Sequence, residues 1–244
     1  MVELTAQVSL QAAIDEVASR DPVLADLVAR AGPIRHRPRD PDGPFGALAR
    51  AIVFQQLAGP AAQAIYGRVR ATVGDALTPE TLNAASDAAL RAAGLSANKL
   101  ASLRDLSAKV VDGTVVLSRT SRRSDEELIE RLTTVRGIGR WTAEMYLMFQ
   151  LRRLDVWPVE DYGVRKGWAT AHGLKEPLKP REMQSEGERF RPYRTIAAWY
   201  CWRVVDTVLP TNHQSAPLAP NPRKTRRAKA PLAPKVRKPS GRTN

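Results

Sequence analysis

Two short stretches of the sequence carry residues suited to chemistry, a glycine turn and a carboxylate 24 residues after it. The turn is RGIG, with Gly137 and Gly139 between two apolar-periodic segments. Glycine lets a ligand approach the backbone closely, and the N–H groups that open the following helix attract anions. The stretch therefore predicts either a phosphate-binding hairpin or an ordinary turn between two helices with a glycine cap.

The carboxylate is Asp161, which stands between the proline-containing segment DVWPVE and the helical segment YGVRKGWAT. Because Pro158 keeps Trp157 extended, the chain must turn before the new helix. As a helix N-cap, Asp161 would contribute about 1 kcal/mol of stability. The same place keeps an acid ionised, and an ionised carboxylate in a low-dielectric cleft stabilises a developing positive charge.

Net charge points to a polyanionic partner. The 244 residues carry a formal charge of +13, and nine Lys or Arg without any acid fall between Thr211 and Asn244, which leaves +4 for residues 1–210. We call residues 210–244 the basic tail. Its many Pro and Ala residues and few large apolar ones predict disorder, with a role either as a salt-sensitive tether to nucleic acid or as a solubilising extension.

The elements that must position these residues are helices. Ser, Thr and Asp stand at predicted N-caps and apolar residues repeat at helical spacing, so we predict an all-α fold. Ser124 and Glu127 have the spacing of a capping box. The predicted N-caps are Asp21, Thr78, Ser86, Ser96 and Ser124. Residues 1–209 form the predicted domain, and residues 210–244 form the predicted disordered tail.

Composition also excludes several classes. No apolar run is long enough to span a membrane and residues 1–20 do not read as a secretory signal, so a cytoplasmic location is expected. Cys201 is the only cysteine, which excludes an internal disulfide and an iron–sulfur cluster held by several thiolates. Eleven of the 14 aromatic residues lie from Trp141 to Trp202, as either core or the walls of a pocket for a planar ligand.

The hairpin and the carboxylate together carry a family resemblance. The pattern LxxVxGIGxWTA followed by DVWPVEDYGVRKG resembles the helix-hairpin-helix (HhH-GPD) base-excision DNA glycosylases, and within them the DNA-3-methyladenine glycosylase II group in its compact form, without an N-terminal β-domain. The resemblance runs from about Asp21 to Leu209 and includes the upstream segments FGALARAIVFQQLAGPAA and AAGLSANKLASLRDLS.

This resemblance implies two helical subdomains flanking a cleft and a monofunctional enzyme. The expected reaction is hydrolysis of the N-glycosidic bond of alkylated purines, such as 3-methyladenine and 7-methylguanine, in duplex DNA during base excision repair. The flipped base would be released with Asp161 as catalytic residue, rather than Asp155 or Glu160. Two roles stay open for Asp161: stabilising positive charge on the sugar, or orienting or deprotonating the attacking water. Trp141 stands where strand-cutting relatives carry a lysine, so no lyase activity is expected.

The resemblance also assigns the base pocket and the DNA contacts. Met145 stands where the family has a pocket tyrosine, while Tyr146 faces another side of the helix and is expected in the core. The wedge that fills the vacated stack falls on Ser96 or Ala97, or on the loop at His36. The expected pocket residues are Trp141, Trp202, Gln55 and Met145; the expected DNA contacts are Arg136, Gly137, Ile138, Gly139, Arg140, Thr142, Ser96, Ala97 and Lys99, with Arg165 and Lys166 as further cations.

Cofactor and partner expectations follow from the same resemblance. No cofactor is required, although the backbone carbonyls of Thr133, Val135 and Ile138 are candidate ligands for Na⁺ or K⁺. The expected partner is double-stranded DNA with damaged bases, bound by a monomer, with no membrane involved. Two alternatives stay open: a glycosylase for a deaminated or mismatched base, and a non-catalytic DNA-binding protein. Asp161 and Trp141 favour an enzyme, because gripping phosphate requires neither.

Overall fold

The computed structural model describes residues 9–35, 38–74 and 76–208, the last four by their backbone alone, and within these ranges the chain forms twelve α-helices and no strand. The all-α prediction is confirmed. A single 3-10 turn lies at Thr120–Arg122. The helices are α1 Leu10–Arg20, α2 Pro22–Ala31, α3 Gly43–Phe54, α4 Gly59–Val73, α5 Pro79–Ala84, α6 Asp87–Ala92, α7 Ala97–Val111, α8 Asp125–Thr133, α9 Arg140–Phe149, α10 Tyr162–Ala171, α11 Pro180–Glu188 and α12 Arg194–Val208.

The predicted N-caps are all present. The Asp21 carboxylate accepts hydrogen bonds from the N–H groups of Val23 and Leu24, at 2.8 and 3.2 Å. The hydroxyls of Thr78, Ser86, Ser96 and Ser124 each accept the N–H three residues on, at 3.2 Å. These local bonds satisfy N–H groups that no helical carbonyl can reach, which is why the helix starts are legible in the sequence.

The capping box at Ser124 is only half formed. Ser124 caps α8, but the Glu127 carboxylate pairs with Arg123 and lies 3.4 Å from Arg131 instead of returning to the backbone of Ser124. Two guanidinium groups one turn away offer charge-assisted hydrogen bonds, which are stronger than a bond to a neutral N–H. The prediction of a reciprocal box was therefore wrong, although the cap itself is correct.

The helices pack as two groups. The first contains α1, α2, α10, α11 and α12, so both ends of the described chain meet there; the second contains α3 to α9. The connection from α9 to α10, Gln150–Asp161, passes from the second group to the first. A residue at the start of α10 therefore lies where the two groups meet.

The first group depends on a close contact between α10 and α12. A Cβ atom added at Gly167 would lie 1.9 Å from the carbonyl oxygen of Cys201, and Cys201 itself is fully buried. Only a residue without a side chain allows the two backbones to approach this closely. The contact fixes α10, and hence its first residue, relative to α12.

Three predictions concern residues outside the described ranges. The basic tail, the segment before Ser9 and His36 fall there. Within the described ranges, no helix has both the length and the hydropathy needed to cross a membrane.

Substitution of Gly167 tests the packing of α10 on α12. We expect Gly167→Ala to lower the free energy of unfolding by about 3 kcal/mol or more, because backbone atoms cannot move aside easily. The matched control is Gly67→Ala in α4, where an added Cβ meets no atom within 4 Å. Alanine lowers the backbone entropy of the unfolded chain, so this variant should be more stable by about 0.5–1 kcal/mol. Urea denaturation of both variants measures the difference; equal values would contradict the close contact.

Candidate active site

The carboxylate of Asp161 is held by three N–H groups. As N-cap of α10, its Oδ1 accepts the N–H of Val164 at 2.8 Å and the indole N–H of Trp202 at 2.9 Å. Its Oδ2 accepts the indole N–H of Trp141 at 2.6 Å. Only 9% of the residue is exposed, so these donors satisfy a charge-bearing group that has little contact with water.

The three partners come from separate parts of the chain. Trp141 lies in the first turn of α9, Asp161 begins α10 and Trp202 lies in α12. Trp141 thus belongs to the second helix group and the other two to the first, so the carboxylate sits at the boundary between the groups. The structure brings together the predicted catalytic residue and two of the predicted pocket residues.

Apolar side chains beside the carboxylate are left uncovered by the core. Trp141, Met145 and Phe149 recur every four residues along α9 and therefore share one face; all three are partly or largely exposed. Phe149, 43% exposed, stacks on Trp202 with ring centroids 5.7 Å apart. An apolar, aromatic face next to a buried acid suits a planar organic ligand.

Tyr146 lies on a different side of α9 from this face. It is 6% exposed and packs in the core, as expected from its helical position. Its hydroxyl is buried with no hydrogen-bond partner in the part of the chain that the structure describes. Burial raises the pKa of this phenol, which keeps it neutral.

The predicted hairpin joins α8 to α9. Gly137 has a φ of 80°, in the region that favours glycine. The N–H of Arg136 bonds to the carboxylate of Asp105 and that of Ile138 to the carbonyl of Val135. The N–H groups of Gly137 and Gly139 make no hydrogen bond within the described ranges. Both glycines are exposed, and unbonded N–H groups before a helix without a side-chain cap are features of an anion-binding site.

Contacts from α3 and α7 hold this turn in place. The amide Nε2 of Gln55, the C-cap of α3, donates to the carbonyl of Gly137 at 2.8 Å. Gln55 is predicted in the base pocket, but in the structure its Nε2 bonds to the hairpin. A Cβ at Gly137 would lie 2.9 Å from the Ser102 hydroxyl of α7, whereas one at Gly139 meets no atom within 4 Å.

The predicted DNA contacts differ in how free their side chains are. Arg136 is exposed and donates to Asn98 at 3.0 Å. Arg140 is exposed but forms a two-pronged ion pair with Glu126, at 2.6 and 2.8 Å. Thr142 is buried. Arg140 thus uses three of its five N–H donors on carboxylates, which leaves two for a phosphate.

The α7 side of the site contains three of the predicted DNA contacts. Ser96 caps α7 and Ala97 is an exposed residue of its first turn. The ammonium of Lys99 donates to the carbonyl of Val53 at 2.6 Å, which ties α7 to α3, and burial lowers its pKa. Lys99 therefore serves the fold in this structure. The Ser96 hydroxyl accepts the N–H of Lys99 alone, and the side chain of Ala97 is only a methyl group.

Two side chains were not picked out by the sequence. Phe149 could have been found from its spacing with Trp141 and Met145. Gln56 is exposed at a φ of 57° in the turn after α3, and a left-handed residue other than glycine is a strained position that often marks function. No local sequence signal identifies that conformation.

Glu144 introduces a buried acid close to the site. It is 3% exposed, its Oε1 pairs with Arg140 at 3.1 Å, and its Oε2 has no hydrogen-bond partner among the described residues. Burial raises the pKa of this carboxyl to about 7; Arg140 opposes the rise, and the nearby charges of Glu126 and Asp161 add to it. Among the described residues no cluster of three or more His, Cys, Asp or Glu has the arrangement of a metal site.

This fold and site define a base-excision glycosylase architecture, and comparison with known proteins identifies the family. Residues 49–192 match the HhH-GPD superfamily of base excision DNA repair proteins, and the chain belongs to that family.

Similar proteins carry related names. DNA-3-methyladenine glycosylase 1 of Schizosaccharomyces pombe is 39% identical over 164 residues, which cover 66% of this chain and 72% of the relative. The crystal structure of a DNA-3-methyladenine glycosidase from Bacillus halodurans matches with a TM-score of 0.75 and 38% identity, over 80% of this chain and 90% of that one. A Schizosaccharomyces pombe 3-methyladenine DNA glycosylase in complex with abasic DNA matches with a TM-score of 0.66 and 35% identity, over 78% and 95% of the two chains.

The raised pKa of Glu144 predicts how stability depends on pH. Its folded pKa of about 7 exceeds the ordinary 4.5, so its contribution is complete below about pH 4.5 and is lost as pH rises through about 7. The loss amounts to about 3 kcal/mol at 1.36 kcal/mol per pH unit. Glu144→Gln should remove this loss, which urea denaturation between about pH 5 and about pH 8 measures. Parallel stability curves for the two proteins would contradict the assignment.

Proposed function

We propose that this chain is a monofunctional DNA glycosylase that releases alkylated purines from duplex DNA by hydrolysis and leaves an abasic site. The observation that carries the proposal is the Asp161 carboxylate, held between two indoles at the boundary of the helix groups and next to a glycine hairpin. The named relatives, which are 3-methyladenine glycosylases, support the same substrate class.

Asp161 acts on the sugar. As the bond between C1′ and the base nitrogen breaks, positive charge develops on the deoxyribose, and a fixed carboxylate stabilises it without having to reorganise. The bond electrons leave with the base; a water oxygen then bonds to C1′ and passes its proton to solvent water. Because the two indole N–H groups and the Val164 N–H orient both carboxylate oxygens, the negative charge is already in place when the bond breaks.

The apolar face of α9 receives the base. Purines alkylated at N3 or N7 carry a positive charge, and electron-rich rings attract a desolvated cation by up to about 2 kcal/mol. Trp141 and Trp202, with Met145 and Phe149 beside them, form such a surface. An alkylated purine departs as a neutral base, so the site needs no acid to protonate it. Selection then rests on charge and on the lability of the bond, with few hydrogen bonds to the base edges.

The hairpin grips the strand. The outward N–H groups of Gly137 and Gly139 and the positive end of α9 bind a phosphate without reading sequence. A wedge must fill the gap left by the flipped nucleotide. Besides Ser96 and Ala97, the exposed side chain of Gln56 is a candidate for this wedge, because the neighbouring Gln55 places its turn against the hairpin.

The remaining features of the proposal are simpler. Trp141 has no nucleophilic amine, so the strand is not cut by a Schiff base. Water is the only co-reactant. A monovalent cation fits the carbonyls of Thr133, Val135 and Ile138, since that of Val135 accepts one N–H and keeps a second lone pair; it would add positive charge beside the phosphate. We place the protein as a monomer in the cytoplasm, bound to damaged duplex DNA.

Charge removal at Asp161 tests the catalytic role. We expect Asp161→Asn to reduce release of free base from methylated duplex DNA by on the order of 10²–10³-fold or more, because the amide carries no charge, while DNA binding is preserved. The matched control is Glu160→Gln, one residue away and exposed, which should keep wild-type activity.

The outcomes separate the possible functions. Undiminished release by Asp161→Asn, or equal loss in both variants, contradicts the mechanism. If the wild type binds but releases nothing from alkylated, uracil-containing or mismatched duplexes, the protein is a non-catalytic binder. If the wild type releases base only from the uracil-containing or only from the mismatched duplex, the protein is a glycosylase for that substrate and not for alkylated purines.

The basic tail is proposed as a tether. Removing residues 210–244 should lower DNA affinity and flatten its dependence on salt, by about 0.9 in the logarithmic slope for each lost phosphate contact. Single-turnover base release at saturating protein should stay the same. An unchanged slope, measured by fluorescence anisotropy across salt concentrations, would reject the tether.

A further inference from the structure

A carboxylate from α7 lies directly against the hairpin. Asp105 accepts the backbone N–H of Arg136 with its Oδ2 at 2.6 Å. The same oxygen lies 2.9 Å from the ammonium of Lys109, one helical turn along, and Lys109 also donates to the carbonyl of Thr134. We call Asp105 and Lys109 the hairpin brace. It binds one N–H and one carbonyl of the turn, 31 and 25 residues away in sequence.

The position of this acid is unexpected on electrostatic grounds. A carboxylate beside a phosphate-binding turn repels the ligand, even in water. As an ion pair on a helix surface alone, Asp105 and Lys109 would contribute little to stability. Neither the charge nor the pair explains an acid at this place, whereas its bond to the hairpin backbone does.

We infer that Asp105 is a positioning residue for the phosphate grip, and that Lys109 neutralises its charge toward the DNA. By accepting the N–H of Arg136, Asp105 fixes the rotation of the peptide units that follow, so that the N–H groups of Gly137 and Gly139 face outward together. Gln55 holds the carbonyl of Gly137 from the other side. The inference rests on the proposed role of the hairpin in binding DNA.

The ionisation of Asp105 is consistent with a permanent brace. Burial alone would raise the pKa of this carboxyl, but the N–H of Arg136 and the ammonium of Lys109 outweigh it and lower the pKa below 3.8. A lowered folded pKa contributes stability above the ordinary pKa and loses it only as pH falls through the folded value. The brace therefore stays charged throughout the neutral range, and its loss requires acid.

A positioning role and a mere surface charge at Asp105 predict opposite changes in DNA affinity when Asp105 is replaced. If Asp105 is only a surface acid, Asp105→Ala removes repulsion, leaves Lys109 unpaired and tightens DNA binding. If it positions the turn, the same substitution loosens the hairpin and weakens binding despite the gain in positive charge. The matched control is Glu130→Ala, which removes an exposed acid of α8 without touching the turn.

The experiment measures the dissociation constant for a duplex containing a stable abasic-site analogue, by fluorescence anisotropy at several salt concentrations. We expect Asp105→Ala to weaken binding about tenfold with an unchanged salt slope, since no cation leaves a phosphate. Asp105→Asn should fall between it and wild type, because the amide oxygen can still accept the N–H. Glu130→Ala should bind as well as wild type or better. Base release at saturating protein should keep its wild-type rate in the control, Glu130→Ala.

A second readout reports on the brace itself. In Asp105→Ala, hydrogen exchange at the Arg136 amide should become faster, while amides in the centre of α10 keep their wild-type rates. Tighter or unchanged binding by Asp105→Asn and Asp105→Ala, or unchanged exchange at Arg136, would overturn the inference. If Asp105→Ala does not fold, the affinity and exchange of Asp105→Asn decide it.

Gly139→Asp separates this inference from the proposed function. Because the position is open, an acid fits there without a clash and faces the expected phosphate. Weaker binding by Gly139→Asp with no loss in the Asp105 variants rejects the brace alone. No loss in Gly139→Asp rejects the hairpin as a phosphate grip, and the brace with it.

Discussion

The site depends on how a carboxylate is held by hydrogen bonds where water has little access. Asp161 is held by two indole N–H groups and one helix N-terminal N–H, and each donor comes from a different helix. The hydrogen bonds offset the cost of burying the acid, and they also lock the relative placement of α9, α10 and α12. The close approach of Gly167 to Cys201 sets the spacing of the last two. The fold and the chemistry therefore share the same contacts.

One helix links the two operations required of a glycosylase. Gly139 caps α9 at the hairpin, and Trp141, two residues later, bonds to Asp161. At 1.5 Å per residue, the two residues are separated by about 3 Å along the helix axis. A phosphate held at the hairpin is thus placed relative to the carboxylate of Asp161 by a single turn of α9. The hairpin brace of α7 and the amide of Gln55 fix the position of the hairpin relative to the other helices of the second group.

Local rules predicted much of this from the sequence. The N-caps, the all-α fold, the N-cap role of Asp161 and the burial of Tyr146 all follow from interactions within a few residues or from helical spacing. The roles of Gln55, Lys99 and Asp105 do not. Gln55 meets Gly137 across 82 residues, and nothing in its neighbourhood tells whether its amide bonds to a hairpin or to a base. Local rules also fail for Glu127, because Arg123 and Arg131 bind its carboxylate in place of the Ser124 backbone N–H.

The central claim is that Asp161 stabilises positive charge on the sugar. It is tested most directly by the affinity for two duplexes, one with a cationic pyrrolidine in place of the target deoxyribose and one with a neutral tetrahydrofuran. A site complementary to the transition state binds the charged analogue more tightly. The account predicts a strong preference for the pyrrolidine in the wild type and its loss in Asp161→Asn. Equal affinities in the wild type, or a preference that survives the substitution, would contradict it.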